Sequence, residues 1–553
     1  MIGRKRLCHK APETVNPAAR DGLTSRPCYS IMAAMIRFHN TLSGRLEEFR
    51  PINPPEVSMY TCGPTVYDYP HIGNWRAYVF EDLLKRFLLA GGFRVKHVMN
   101  LTDVDDKTIR GAGALGVGLA EYTQKYIEAF FRGLETLNIL KADHYPRATE
   151  HIPEMTAIIK TLLDKGYGYV KDGSVYFSIA RFPSYGRLAK ISLEDLKPGS
   201  RGDADEYDKE SVHDFALWKK AKPGEPFWET EFGPGRPGWH IECSAMSSKY
   251  LGWTFDIHCG GVDNIFPHHE NEIAQSEAAS GRKFVNYWLH CHHLVVDGEK
   301  MSKSKGNVHT LESLMEKGAD PMDIRFLLLS THYRKMVNFT FKALEQARAA
   351  RRRLADFLSD LETATGGGPV GDEVEDLVGK AREGFFEGLS DDLNISAALA
   401  SIFELVSETN RLKDGGRLNR AGAAAVEKFV TDVDDKVLAV NLKAQAQVFE
   451  GALKAVSPGS GHSPVIPADW IREKAAALKE AVLRGTNALT EDGAWPEELR
   501  GPLSELLEAR EGARNRKDFK TADAIREALL EAGFVIEDTK AGPRIKRAGP
   551  RRS

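Results

Sequence analysis

Val57-Ser58-Met59-Tyr60-Thr61-Cys62-Gly63-Pro64 is a largely apolar run stopped by a Gly-Pro pair, and this pattern predicts a short β-strand that ends in a turn. Over residues 76–90 apolar side chains recur at helical spacing, and Gly91-Gly92 ends the repeat. Residues 93–100 form a second strand-like run. A strand, a helix and another strand in this order predict a βαβ unit with a parallel sheet, so the fold class is α/β.

The flanking segments extend this unit into a larger domain. We predict that residues 35–150 and 236–340 are the two halves of one Rossmann-like domain. Between them, residues 151–235 contain a hairpin signal at Asp172-Gly173 and then a stretch rich in Gly, Pro and acidic residues. This middle part is predicted to be an inserted α+β segment.

The C-terminal part of the chain has a different pattern. Helical periodicity predicts an all-α domain over residues 341–456. The stretch 457–467 is rich in Ser, Pro and Gly and predicts a flexible linker. Residues 468–553 are predicted to form a small C-terminal domain that ends in a basic tail.

Composition limits the class of protein. A chain of 553 residues with 42% hydrophobic and 28% charged residues is typical of a multidomain globular protein, and no apolar run suggests a membrane span. Six dispersed cysteines fit a reducing compartment, so we expect the cytoplasm.

Residues 1–34 are basic and poor in acidic residues, as in transit peptides, but lack an amphipathic pattern. We expect a disordered extension there, or a start at Met32 or Met35.

The motif with the most chemical information is Phe266-Pro267-His268-His269-Glu270-Asn271-Glu272. His268 and Glu272 are four residues apart, so on a helix they project from the same face. With Cys62 and Cys243, they provide the two thiols, the imidazole and the carboxylate of a tetrahedral zinc site. Because these residues are far apart in the chain, the tertiary fold has to assemble the site.

A first phosphate-binding candidate is His71-Ile72-Gly73-Asn74, between the first strand and its helix. A helix N-terminus at this edge of a parallel sheet presents unpaired N–H groups and a positive dipole end to an anion. Gly73 permits close backbone approach, and His71 can donate to phosphate oxygens. The alternative is an ordinary turn with one solvated histidine.

A second candidate is Lys300-Met301-Ser302-Lys303-Ser304-Lys305-Gly306-Asn307. Residues 295–299 predict a strand and a tight turn that present this lysine-rich loop. Three lysines alternating with small polar residues can close on a polyphosphate, whereas a generic basic loop would only be solvated. The pentapeptide Lys-Met-Ser-Lys-Ser at residues 300–304 is specific enough to favour the first interpretation.

These two segments, in this order, resemble the signature pair of class I aminoacyl-tRNA synthetases, and further stretches resemble the cysteinyl-tRNA synthetase family within that class. The resemblance extends from about residue 36 to near the C-terminus. The stretches that carry it are Tyr60–Asp68, Asn100–Lys107, Gly238–Met246, Phe266–Glu272 and Asp391–Asn394.

The resemblance implies roles for individual residues. Cys62, Cys243, His268 and Glu272 would hold one zinc ion per chain. Trp239 would close the amino-acid pocket and Thr102 would hold the substrate backbone. Cys259 and His269 would stand behind the metal ligands.

ATP would be bound by the two signatures: His71, Ile72, Gly73 and Asn74, then Met301, Ser302, Lys303 and Ser304. His71, Asn74, Lys300 and Lys303 would act on its phosphates. The family often has histidine where this chain has Asn74, which leaves the role of that residue open.

The resemblance also implies the reaction. L-Cysteine would be activated by ATP, with Mg²⁺, to cysteinyl-adenylate and then transferred to the 3′ end of tRNA(Cys) by a monomer. Cysteine differs from serine only in sulfur for oxygen, and contacts to such small groups discriminate by only about 1–3 kcal/mol. Zinc favours a thiolate, so it would select cysteine without a separate editing domain.

Three other functions fit part of the pattern. A ligase that joins activated cysteine to an amino sugar, as in mycothiol synthesis, would share the catalytic domain and the zinc ligands. The roughly 200 residues after the second signature favour tRNA instead. A non-enzymatic RNA-binding paralogue would have lost His71 or Lys303, but both are present. A zinc hydrolase using Glu270 or Glu272 would carry the His-Glu-x-x-His pattern, which this motif lacks.

Overall fold

A computed structural model describes residues 36–192, 214–302, 305–443 and parts of 471–547. Four sequence predictions lie outside the described residues: the extension 1–34, the linker 457–467, and the roles of Lys303 and Ser304. The strands are β1 (Arg37–Asn40), β2 (Arg45–Glu48), β3 (Glu56–Thr61), β4 (Arg94–Met99), β5 (Gly168–Lys171), β6 (Ser174–Phe177), β7 (Phe215–Lys220), β8 (Gly235–Pro237), β9 (Phe255–Gly261), β10 (Val285–Cys291), β11 (Leu294–Val296), β12 (Glu299–Lys300), β13 (Val337–Phe339), β14 (Phe534–Thr539) and β15 (Gly542–Arg547).

The helices are numbered in the same way. They are α1 (Ile72–Ala90), α2 (Asp106–Leu115), α3 (Leu119–Thr136), α4 (Ile152–Asp164), α5 (Trp239–Leu251), α6 (Glu270–Ser280), α7 (Leu311–Glu316), α8 (Pro321–Ser330), α9 (Phe341–Leu361), α10 (Asp372–Ser390), α11 (Ile395–Asp414), α12 (Arg420–Val433) and α13 (Phe519–Glu531).

The Rossmann-like domain is built on a parallel four-stranded sheet in the order β10-β9-β3-β4. Side chains alternate between its faces, so Met59 and Ile257 enter one core while Tyr60 and Val98 enter another. Helix α1 joins β3 to β4, as the βαβ prediction requires. The predicted α/β class is therefore confirmed.

Helix α1 begins at Ile72, four residues before the predicted start. The reason is a capping box: His71 Nδ1 accepts from the N–H groups of Gly73 and Asn74, and Asn74 Oδ1 accepts from His71 N. Ile72 and Trp75 are buried and continue the apolar spacing that reaches Val79, so the hydrophobic pattern extends one turn further than the prediction took it. At the other end Gly92 has a positive φ of 87°.

The inserted segment is α+β, as predicted. It contains helix α4 and an antiparallel sheet in the order β5-β6-β7-β8. Asp172 and Gly173 form the tight turn between β5 and β6, both with positive φ (52° and 84°). Helix α4 contacts α5 and α6, so the segment packs against the second half of the Rossmann-like domain.

Helices dominate after β13, which confirms the predicted all-α region. Helical periodicity predicts helices over 343–361, 374–389 and 396–412 but none at α12, whose first turn is rich in Ala and Gly and carries little apolar periodicity. Of the predicted basic tail, residues 542–547 instead form strand β15, paired antiparallel with β14. Alternating basic side chains are compatible with a strand once a partner such as β14 satisfies its backbone.

A buried ion pair inside the Rossmann-like domain also contacts the helical region, because its arginine, Arg325, donates to the Leu438 carbonyl. Arg325 of α8 bonds Asp82 of α1 at 2.5 Å (Nη2–Oδ2) and also donates to the carbonyls of Leu137 and Leu438. Arg86 donates to the same carboxylate at 2.8 Å. Both partners of the Arg325–Asp82 pair are almost completely buried.

Candidate active site

The four predicted metal ligands are neighbours in the structure. The ligand atoms of Cys62, Cys243, His268 and Glu272 all lie within 4.8 Å of one another. Cys62 follows strand β3, where its N–H donates to the Cys259 carbonyl at 3.2 Å. The other three side chains are buried: Cys243 comes from α5, His268 from the turn before α6, and Glu272 from the first turn of α6.

The turn that precedes α6 sets the position of His268. An irregular turn over Ile265–His269, with a cis bond between Phe266 and Pro267, precedes the helix, which begins at Glu270. The predicted pairing four residues apart holds, with His268 Nε2 3.0 Å from Glu272 Oε1. The sequence predicts a helix from near His268, but the regular helix starts two residues later, because Phe266 has extended backbone angles.

Glu272 shows that this donor set fits a cation. Its Oε2 lies 3.0 Å from His258 Nε2. Its Oε1 is buried, faces the other three groups and has no hydrogen-bond partner among the described residues, since the nearby His268 nitrogen is not aligned for one. An unsatisfied buried carboxylate oxygen is costly unless a cation meets it. Two thiols, an imidazole and a carboxylate are ligands that zinc takes.

The protonation states are coupled within the cluster. A hydrogen bond from the Cys62 thiol lowers the pKa of Cys243 to about 6, and the same interaction raises the pKa of Cys62 well above its usual value. Burial would lower the pKa of His268, but Cys243 and Glu272 outweigh it and raise it to about 10. Burial would raise the pKa of Glu272, yet His258 and His268 hold it at about 2.

A layer of histidines surrounds these four residues, and sequence reasoning found only part of it. His258 contacts Glu272, and His240 Nδ1 lies 2.9 Å from His268 Nδ1. His269, predicted to stand behind the ligands, has Nε2 3.2 Å from Cys62 Sγ. Cys62, His258, His269 and Glu272 also form a compact group by themselves.

Sequence analysis missed His240 and His258, and the sequence held a signal for only the first of them. His240 precedes Cys243 by three residues on α5, and this spacing was a signal for a shared face. His258 enters the site because β9 pairs with β3 in the register that sets Tyr60 beside His258. That register cannot be deduced from the spacing of residues along the sequence. Cys259 is buried and belongs to neither group of ligand atoms found among the described residues.

The first signature lies at the N-terminus of α1, with His71 as the N-cap. Because Nδ1 accepts two backbone N–H groups, the ring proton of the neutral form is on Nε2. Burial lowers the pKa of His71, which favours this neutral form. Asn74 accepts from His71 N through its Oδ1, so it supports the histidine instead of facing a ligand with that atom.

The second signature packs beside the first. Strands β11 and β12 form a hairpin whose turn residues Asp297 and Gly298 have positive φ, as the sequence predicted. After it, Ser302 N donates to Asn307 Oδ1 at 2.8 Å, and Asn307 Nδ2 donates to the Lys300 carbonyl at 3.3 Å. These bonds close the loop that contains Met301.

The two predicted substrate contacts have different environments. Trp239 begins α5, remains 37% exposed and has its ring 4.2 Å from the His268 ring. Thr102 is buried; its hydroxyl donates to Glu242 at 2.9 Å and accepts from Asn100 at 3.1 Å. The roles assigned to both residues stay predictions.

Glu270 has no unoccupied carboxylate oxygen for a hydrolytic role. Its Oε1 accepts from Gly186 N, and its Oε2 accepts from the backbone of Leu188 and Ala189 at 2.9 Å. All these bonds hold the inserted segment against α6. The contacts of Glu270 are therefore structural.

Family models match three parts of the chain. Residues 48–349 match the class I (C) tRNA synthetase catalytic domain. Residues 384–442 match the DALR domain, and residues 497–543 match the cysteinyl-tRNA ligase anticodon binding domain.

Individual relatives agree with the family models. The cysteine–tRNA ligase of Chlamydia muridarum (strain MoPn / Nigg) is 48% identical over 517 residues, which are 92% of this chain and 99% of the relative. That of Protochlamydia amoebophila (strain UWE25) is 44% identical and covers 93% and 98% of the two chains.

A solved structure supports the fold. The methionyl-tRNA synthetase of Mycobacterium tuberculosis in complex with methionyl-adenylate superposes with a TM-score of 0.55 at 17% identity, over 74% of this chain and 99% of that one. The shared architecture is that of class I synthetases. With its catalytic, DALR and anticodon-binding segments and its near full-length relatives, the chain belongs to the cysteinyl-tRNA synthetase family and is an aminoacyl-tRNA ligase.

Proposed function

We propose that this cysteine–tRNA ligase activates L-cysteine with ATP, transfers it to the 3′ end of tRNA(Cys), and uses one zinc ion to select cysteine over serine. Cys62, Cys243, His268 and Glu272 would hold the ion. The observation that carries this proposal is the buried Glu272 Oε1, which faces two thiols and an imidazole without a hydrogen-bond partner among the described residues.

A bound zinc ion supplies a Lewis acid that prefers a thiolate to an alkoxide, which is the difference between cysteine and serine. The chain contributes the geometry. His258 holds one oxygen of Glu272 so that the other faces the thiols, and His240 orients His268 through its second ring nitrogen. Trp239, packed on His268, would cover the side chain of the amino acid.

In the first step a carboxylate oxygen of cysteine attacks the α-phosphorus of ATP, and pyrophosphate leaves. His71 would donate from Nε2 to a phosphate oxygen, since its other nitrogen is held by the helix N-terminus. Lys300 and Lys303 would neutralise the phosphates, with Mg²⁺ bound to ATP. In the second step the terminal ribose hydroxyl attacks the acyl carbon, and AMP leaves.

The C-terminal matches support tRNA as the acceptor, because a DALR domain and an anticodon-binding domain follow the catalytic domain. They give no support to the amino-sugar ligase.

We propose the cytoplasm as the compartment, since Cys62, Cys243, Cys259 and Cys291 are free thiols. None of the described helices has the length and apolar character needed to cross a bilayer. The monomeric state stays a prediction.

The experiment measures zinc content and ATP–pyrophosphate exchange with cysteine and with serine in a Cys243→Ala variant. We expect zinc to be lost and the preference for cysteine to fall. Cys291→Ala is the matched control, because Cys291 is buried outside the metal cluster and should keep both properties. Unchanged zinc and unchanged preference in Cys243→Ala would refute the proposal.

A further inference from the structure

Beside the first signature, four tyrosines and two lysines form a compact surface group that the chemistry above does not use. We call it the tyrosine–lysine cluster. Its members come from the loop before α1, from α2 and from α3: Tyr67, Tyr69, Lys107, Tyr122, Lys125 and Tyr126.

Three of the rings meet edge to face. The Tyr69 and Tyr126 centroids are 5.3 Å apart at 81°, and Tyr122 lies 5.2 Å from Tyr126 at 65°. Lys125 is exposed, and its Nζ lies 5.3 Å from the Tyr69 centroid and 5.4 Å from that of Tyr126. A cation is therefore fixed over two aromatic faces.

The fourth ring is tied to the same group. The Tyr122 hydroxyl donates to the Tyr67 carbonyl at 2.8 Å, which fixes helix α3 to the loop. The exposed Lys107 places its Nζ 4.8 Å from the Tyr67 centroid. All four tyrosines are half-buried, so each is anchored and still presents part of its surface to solvent.

The position of the cluster indicates its ligand. Tyr69 lies two residues before His71, the N-cap of the proposed ATP phosphate site. During transfer the terminal ribose of tRNA has to reach that site, so the nucleotides just before it have to pass nearby. Aromatic faces interleaved with cations are what proteins use to bind unpaired nucleotides, with stacking for bases and lysines for phosphates.

We propose that the tyrosine–lysine cluster binds the unpaired 3′ end of the tRNA, with Tyr69 and Tyr126 as stacking surfaces and Lys107 and Lys125 as phosphate contacts. This inference rests on the proposed function, because it needs tRNA as the acceptor. The two proposals can be tested separately, because the cluster would act in the transfer to tRNA, whereas amino-acid activation needs no tRNA and does not use the cluster.

The test uses the full chain with Tyr69→Ala and Tyr126→Ala. We expect the KM for a tRNA(Cys) transcript in aminoacylation to rise about tenfold, which is within the range for loss of one base stack. Cysteine-dependent ATP–pyrophosphate exchange should stay at the wild-type rate. Tyr126→Phe keeps the ring and should keep the KM.

A second measurement separates direct contact from altered folding. Binding of a full transcript is compared with that of a transcript lacking its unpaired 3′ nucleotides. Truncation should weaken binding to the wild type but have little further effect on Tyr126→Ala. Equal truncation effects in both proteins, or a raised KM for ATP in exchange, would overturn the inference. Absence of cysteine-dependent exchange in the wild type would instead refute the proposed function.

Discussion

A Cβ atom placed on Gly73 would lie 2.7 Å from Cε of Met301, so the first and second signatures touch through a glycine. The same Cβ would lie 3.0 Å from the His71 ring. Nearby, Ile72 N donates to the His309 carbonyl at 2.9 Å. The two loops proposed to bind ATP therefore form one surface, and a side chain at position 73 would separate them.

Gly73→Ala should impair activation strongly. The added methyl group meets both Met301 and the ring of His71, so one of them has to move from the phosphate site. We expect kcat/KM for ATP in cysteine-dependent exchange to fall by about tenfold or more, equivalent to ~1.4 kcal/mol. Gly113→Ala, in helix α2 with no neighbour within 4 Å among the described residues, should leave exchange unchanged.

The contact also predicts non-additivity with Met301→Ala. If the clash causes the defect, Gly73→Ala should cost less in the Met301→Ala background than in the wild type. Exchange kinetics of both single variants and the double variant give the coupling. Strictly additive losses would show that Gly73 acts without Met301.

Two buried glutamates two residues apart should respond differently to the same substitution. Glu272→Gln removes a charge from the proposed zinc site, and we expect zinc affinity to fall about tenfold or more with little loss of thermal stability. Glu270→Gln turns an amide N–H₂ toward backbone donors, so it should lower the unfolding temperature while zinc is retained. Metal analysis and thermal unfolding check both outcomes. Zinc loss in Glu270→Gln alone would contradict the assignment.

Removal of zinc by a chelator should abolish selective cysteine activation without unfolding the protein. Cys243 lies in a hydrophobic core with Ile241, Met246 and Trp288, and the apolar contacts of that core require no metal ligand. The far-ultraviolet circular dichroism spectrum should therefore stay unchanged while cysteine-dependent exchange is lost. Added zinc should restore the exchange. Full activity in protein shown to be metal-free would contradict the prediction.

Arg325→Met should destabilise the junction between the sheet domain and the helical region. It leaves the buried Asp82 carboxylate with Arg86 and the Leu140 N–H, and it removes a donor from the carbonyls of Leu137, Asn138 and Leu438. Breaking a buried pair on one side costs about 3–5 kcal/mol. We expect a lower midpoint of thermal unfolding, measured by calorimetry. The exposed pair Lys160–Asp164 is the control, and Lys160→Met should leave the midpoint unchanged. An unchanged midpoint in Arg325→Met would contradict the role of the pair.

The predicted elements with strong periodicity were found close to their expected bounds. The strand predicted over residues 93–100 spans Arg94–Met99. The hairpin at Asp172-Gly173 formed as its turn chemistry required. Errors arose at the first turn of α1, where a capping box fixes the start, and at α12, whose first turn is rich in Ala and Gly. Strand β15 was missed because its pairing partner is not encoded in its own residues.

The sequence by itself determined the α/β class, the family resemblance, and the residue types from which a zinc site could be assembled, because these depend on local periodicity and on motifs a few residues long. Only the tertiary structure decided that Cys62 meets Cys243 and Glu272, that His258 shares the carboxylate, and that Gly73 touches Met301. Such contacts depend on strand register and on how α5 and α6 pack. Register is a relation between distant segments, and neither segment contains it alone.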